Sequence, residues 1–142
     1  MTPLALVVDD EDSIRQLIEV TLQMEGYRTL GAPDGPTALQ LARTNRIDVV
    51  TLDIMMPGMD GWEVAAHLGR DPWTHDVPIV VVSGKPVVEL DAAPGRSLAS
   101  AVLTKPFDFV TFVEVVGSVV ERSPKLPQQR PAADDIPSRA RT

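Results

Sequence analysis

The amino-acid sequence predicts an α/β fold, with one five-stranded parallel sheet and helices on both of its faces. Two observations carry this. Short apolar runs rich in β-branched residues alternate along the chain with segments whose apolar residues recur at helical spacing. The runs are nearly continuous rather than alternating apolar and polar, as strands buried on both faces are. At 142 residues the chain has the length of one domain with a real core.

"LALVV" (4–8) is the first buried strand. "SIRQLIEVTLQME" (13–25) follows as a helix, with Ile14, Leu17, Ile18 and Leu22 on one face, Asp12 as N-cap and Gly26 as its stop. "YRTLG" (27–31) is a short strand. A helix over 35–44 carries Pro36 in its first turn, where a missing N–H costs nothing. "DVVTLD" (48–53) is the third strand, a helix spans roughly 60–69, and "VPIVVVS" (77–83) is the fourth strand. Pro86, Pro94 and Gly95 interrupt 85–99, so the fourth helix is expected to be short or irregular. "SAVLTK" (100–105) closes the sheet. The last helix, 107–122, puts Phe109, Phe112, Val113, Val116 and Val120 on one face, with Val115 and Val119 widening it. The segment 123–142 holds Pro124, Pro127, Pro131 and Pro137 with little apolar content, and is expected to be a disordered tail or linker remnant. The domain is therefore placed at 1–122.

Composition narrows the function. The chain has 13 basic and 20 acidic residues, a net charge of −7, which argues against direct nucleic-acid binding. It has no cysteine, which removes disulfides, thiolate metal sites and Cys nucleophiles, and suits a cytoplasmic protein. The start, "MTPLALVVDDED", is not a signal peptide, and no apolar segment approaches a membrane span. His67 and His75 have no partner at metal-ligand spacing.

In parallel α/β sheets, sites form beyond the carboxyl ends of the strands, near the point where strand order reverses. Here the first strand ends in Asp9-Asp10, the third in Asp53 and the fourth in Ser83, while Lys105 follows the fifth. A carboxylate closing an apolar run is costly to desolvate without compensation, so Asp53 is either a turn cap or a nucleophile. Three close carboxylates cannot all stay ionised without a cation. A hard divalent ion suits them, Mg²⁺ above all where phosphate chemistry is involved. Asp53 can then attack a phosphorus centre in line. Mg²⁺ and Lys105 offset charge on the phosphoryl oxygens, and Ser83 donates a hydrogen bond to the acyl phosphate.

The ordered set Asp9-Asp10, Asp53 with "MMPGMDG", Ser83-Gly84 and Lys105-Pro106 resembles the receiver domain of bacterial two-component response regulators, over about residues 3–122. The resemblance implies a flavodoxin-like, doubly wound (βα)5 fold. It implies that Asp53 is the phosphoacceptor and that Asp9, Asp10, Asp53 and the Met55 backbone carbonyl hold Mg²⁺. Ser83 becomes the switch hydroxyl and Lys105 the phosphate-binding lysine, followed by a cis bond to Pro106. The implied phosphodonor is a histidine kinase or a histidine phosphotransfer protein, the implied output is altered binding to a downstream protein, and no outside substrate is turned over.

The chain departs from that family at Val102, where an aromatic residue usually stands three positions before the lysine. Val102 cannot swing a ring inward, so coupling is expected to run through the order of 85–99 instead. Trp62, opening the third helix, either packs there or reports on the site. Two other functions compete. A phosphohydrolase of the haloacid-dehalogenase type wants a second aspartate two residues after the nucleophile, and that position is Met55. A phosphorylation-independent, receiver-like interaction module is favoured by Val102 and opposed by the intact acidic set.

Overall fold

The computed structural model describes residues 2–122, so the expected tail at 123–142 lies outside the described residues. The strands are β1 (Leu4–Val8), β2 (Arg28–Ala32), β3 (Val49–Asp53), β4 (Ile79–Ser83) and β5 (Ala101–Thr104). The helices are α1 (Asp12–Met24), α2 (Gly35–Thr44), α3 (Gly61–Arg70), α4 (Val87–Ala92) and α5 (Phe109–Arg122), with a 3₁₀ turn at Arg96–Leu98. All strand pairs are parallel and the order is β2-β1-β3-β4-β5. The predicted doubly wound fold is the one observed.

Alternate residues of each strand serve the two faces. Ala5, Val7, Val49, Val80 and Val82 pack with Ile18 and Leu22 of α1 and Phe112, Val116 and Val119 of α5. Leu4, Leu6, Val8, Val50, Leu52, Ile79 and Val81 pack with Ala38 and Leu39 of α2, Val64 and Leu68 of α3 and Leu90 of α4. Residues of β1, β3 and β4 are buried throughout, which is why their sequence reads as continuous apolar runs.

Local chemistry sets the helix starts. Asp34 accepts from Thr37 N at 2.8 Å ahead of α2. Asp60 and Glu63 form a reciprocal capping box at α3, with bonds of 2.9 and 3.1 Å. Gly26 after α1 has φ of 94° and Gly58 after Pro57 has φ of 76°, conformations that side chains resist.

Three expectations need correction. Glu11, not Asp12, occupies the N-cap of α1 and makes no side-chain cap bond. Asp12 lies inside the first turn, where its carboxylate meets Arg15 at 2.7 Å. Leu17 is 46% exposed, because the buried line of α1 runs along Ile18 and Leu22 with Ile14 beside it. In α5, Val119 lies deeper than Val120, so the buried stripe is Phe112, Val116 and Val119. The irregular fourth region appears as expected: α4 is six residues long and the 3₁₀ turn follows it.

Candidate functional site

β1 pairs with β2 on one side and β3 on the other, so the chain changes direction across it. A crevice beyond the carboxyl ends of β1 and β3 follows from that topology. Asp9, directly after β1, is buried. Its backbone N–H donates to Ala32 O at 3.1 Å, continuing the ladder to β2. One carboxylate oxygen accepts from Glu11 N at 2.9 Å, and the other accepts from Lys105 Nζ at 2.9 Å. Asp10 is exposed beside it.

Asp53 closes β3 in register with Val82 of β4 and is 5% exposed. Its Oδ1 accepts from Met55 N at 3.1 Å. Its Oδ2 lies 3.7 Å from Lys105 Nζ, an ion-pair distance with no hydrogen bond. One oxygen from each of Asp9, Asp10 and Asp53 lies within 4.8 Å of the others. Lys105 stands between Asp9 and Asp53, its side chain mostly covered. The Lys105–Pro106 peptide bond is cis.

Burial is the largest cause of the Asp53 shift, pushing its carboxyl up to about 6. Lys105 and the Met55 N–H pull it down, and the charges of Asp9 and Asp10 add to the rise. Burial also opposes the Lys105 ammonium, but its hydrogen bond to Asp9 and the charges of Asp53, Asp9 and Glu11 win, holding it above its usual range. The site thus carries an excess of negative charge that one lysine does not cancel. Hard oxygen donors at this separation suit a hard divalent cation and offer nothing to a soft one.

Ser83 ends β4 one residue beyond Val82, fully buried. Its Oγ accepts from Lys85 N at 3.3 Å. Asp9, Asp10, Asp53 and Lys105 are brought together directly; Ser83 lies at the end of the adjacent strand, and among the described residues no hydrogen bond joins it to the carboxylates. Met55, two residues after Asp53, has an exposed apolar side chain. Val102 is half-buried against the α2–α3 side of the core.

Two supporting residues were not singled out in the sequence. Arg15 donates to the Asp9 carbonyl at 2.9 Å and to Asp12 at 2.7 Å, so one guanidinium ties the β1–α1 loop to α1. A basic residue three positions into a helix that follows an acidic run is its signal. Gly61 opens α3 against the strand end: a methyl there would sit 2.7 Å from Ile54 Cα and would overlap the Asp53 carbonyl oxygen. The Asp-Gly pair in "MMPGMDG" is its signal.

Residues 5–117 match the response regulator receiver domain. The response regulator PleD of Caulobacter vibrioides is 40% identical over 124 residues, covering 84% of this chain and 26% of PleD. The chain thus spans about a quarter of that relative. Protein PilH of Pseudomonas aeruginosa is 34% identical over 116 residues, covering 81% of this chain and 95% of PilH. Among solved structures, the chemotaxis response regulator CheY4 of Vibrio cholerae superposes with a TM-score of 0.78 at 32% identity, over 84% of this chain and 99% of that one. The response regulator TrrA of Thermotoga maritima, determined in complex with Mg²⁺-BeF, gives 0.77 at 32% identity, over 83% and 99% of the two chains.

Proposed function

The chain belongs to the response regulator receiver-domain family, and we propose that its Asp53 accepts a phosphoryl group in a Mg²⁺-dependent reaction, from a histidine kinase or a histidine phosphotransfer protein. The observation that carries this reading is Asp53 itself: a buried carboxylate with one oxygen that accepts no hydrogen bond among the described residues, 3.7 Å from Lys105 Nζ, in a carboxylate that offers one oxygen within 4.8 Å of those of Asp9 and Asp10. Asp9, Asp10 and Asp53, with the Met55 carbonyl, are the groups that would hold Mg²⁺. When bound, the ion neutralises carboxylate charge and polarises the phosphoryl oxygens.

The chain's own residues do the rest. Asp53 Oδ2 forms the new bond to phosphorus while the bond from phosphorus to the donor breaks, and the donor keeps the electron pair. Lys105, fully protonated at neutral pH, is in reach of the oxygens of a phosphoryl group carried on Asp53. The Ser83 hydroxyl accepts from Lys85 N and has its own O–H to donate to the acyl phosphate. The burial that raises the Asp53 carboxyl also limits water around the product. The exposed Met55 side chain has no polar group to orient an attacking water, which supports a long-lived phosphoryl group.

Residues 1–122 form the phosphoacceptor domain in this reading, in the cytoplasm, signalling to a downstream protein without binding nucleic acid itself. No helix among the described residues is long and apolar enough to cross a membrane. A phosphorylation-independent interaction module is the second reading, favoured by Val102 where the family carries an aromatic.

Incubation with Mg²⁺ and acetyl phosphate, read by intact-mass spectrometry, tests the first reading. One phosphoryl group is expected on the wild type, and none on Asp53→Asn or on wild type in EDTA. No adduct on the wild type favours the second.

A further inference from the structure

Asp53 and the α4 region are joined by a chain of close contacts that bypasses β5. Gly61 N donates to Ile54 O at 3.0 Å, and the missing side chain at 61 lets α3 begin in contact with the Asp53–Ile54 backbone. Trp62 is the next residue, half-buried, with its indole directed at Gly95 in the loop between α4 and the 3₁₀ turn. A methyl on Gly95 would sit 2.8 Å from Trp62 Cε3 and 3.1 Å from Cδ2. Gly95 has φ of −85°, a conformation open to any residue, so glycine stands there to make room for the ring and not to permit the backbone.

The same segment rests on the far end of α3, where Leu98 Cδ2 lies 3.5 Å from the position of a methyl on Gly69. Its start is tied to the site as well, because Lys85 N donates to Ser83 Oγ at 3.3 Å and Thr104 Oγ1 donates to Lys85 O at 3.2 Å. Within it, Arg96 bridges Asp91 at 3.0 Å and the Ala99 carbonyl at 2.9 Å, so it can shift as one piece.

We propose that Trp62, stacked on Gly95, transmits the phosphorylation state of Asp53 to residues 87–98, in the role that β5 cannot fill with Val102. The inference rests on the phosphoacceptor reading. A change at Asp53 displaces the Asp53–Ile54 backbone, Gly61 passes it to the first turn of α3, and the indole pushes or releases the α4 segment. That segment has a single residue, Leu90, in the core proper, which makes it the part of this face with least to lose by moving.

Hydrogen exchange of the full chain, with and without Mg²⁺ and beryllofluoride, tests this. In the wild type, exchange of 87–98 should change by about tenfold or more, and in Trp62→Ala by less than about twofold. Trp62→Phe, which keeps a ring, should restore most of the response. Gly95→Ala, whose methyl wedges the ring away, should reduce it and carries the test if Trp62→Ala does not fold. Acetyl phosphate should still label every one of these variants. A wild-type response in both Trp62→Ala and Gly95→Ala would overturn the relay. Labelling of the wild type without any change at 87–98 would overturn the relay and leave the phosphoacceptor reading standing. No labelling of the wild type would overturn both.

Discussion

Helices α3 and α4 flank the same acidic edge and are held there by different means. α3 opens with a capping box in which Asp60 and Glu63 satisfy each other's backbone N–H groups, and it buries Val64, Ala65 and Leu68. α4 is six residues long, starts at Pro86 without a side-chain cap bond and buries Leu90 alone. A helix so short gains little from its own hydrogen bonds, so α4 stands on its surroundings. The site therefore has a well-anchored side, built by β1, β3 and the body of α3, and a sparsely anchored side, which it touches through Ser83 and Trp62. Segments that change state in a switch come from the low-stability end of a structure, and here that end is legible in capping and burial.

One substitution made twice gives the sharpest break. Leu68 in α3 and Leu90 in α4 are 2% and 1% exposed, so equal burial predicts equal cost. Leu68→Ala should lower global stability by about 3 kcal/mol in urea unfolding. Leu90→Ala should cost about 1 kcal/mol, since the segment around it opens before the rest of the molecule, and should show instead as faster exchange of 87–98. Equal losses for the two would erase the distinction between the well-anchored and sparsely anchored sides.

The well-anchored side is also electrostatically loaded, and pH tests this. The folded pKa of Asp53, about 6, exceeds the ordinary 3.8, so the folded state holds the proton more tightly. Between those values the folded protein binds more protons than the unfolded chain, and stability falls as pH rises through that window. Above it the penalty is complete. In EDTA, Asp53→Asn should therefore stabilise the protein at pH 7.5, by about 2–3 kcal/mol from the size of the shift. The gain should fade below roughly pH 4. Added Mg²⁺ should narrow the gap by stabilising the wild type. A gain independent of pH would mean that packing, not charge, separates the two proteins.

The smallest effect lies beneath the site. Thr51, in β3 between the core residues Val7 and Val80, has a buried hydroxyl with no hydrogen-bond partner among the described residues. Thr51→Val keeps the shape and removes the stranded group, so it should stabilise by about 1 kcal/mol. Thermal unfolding would read it, and a loss of stability would mean that the hydroxyl has a partner in solution.

Much of this is legible in the sequence. The apolar runs at 4–8, 49–53 and 79–83 are buried along their whole length. The prolines at 86 and 94 bound the short fourth helix as expected. Where sequence and structure differ, neighbours decide. Asp12 looked like a cap, but Arg15 one turn later draws its carboxylate along the helix. Leu17 looked like core, but the line of α1 that meets the sheet passes through Ile18. Val119 is buried more deeply than Val120 because the line of α5 that packs on the sheet runs through Phe112, Val116 and Val119, a rotation that periodicity alone leaves open. Arg15 and Gly61 are harder to read from sequence, because Arg15 holds the Asp9 carbonyl and Gly61 clears the Asp53–Ile54 backbone, contacts outside their own helices.

The sequence by itself determined the element order, the parallel sheet and the set of chemical groups on its carboxyl edge. In a parallel sheet every strand ends on the same side, so carboxylates that close strands must share an edge whatever the strand order. Only the tertiary structure decided that β1 lies between β2 and β3, that Lys105 reaches back 96 residues to Asp9, and that Gly95 lies on Trp62. Local patterns answer to backbone sterics and burial over a few residues. Contacts across the fold answer to how whole faces pack, and that is settled only when the sheet and its helices meet.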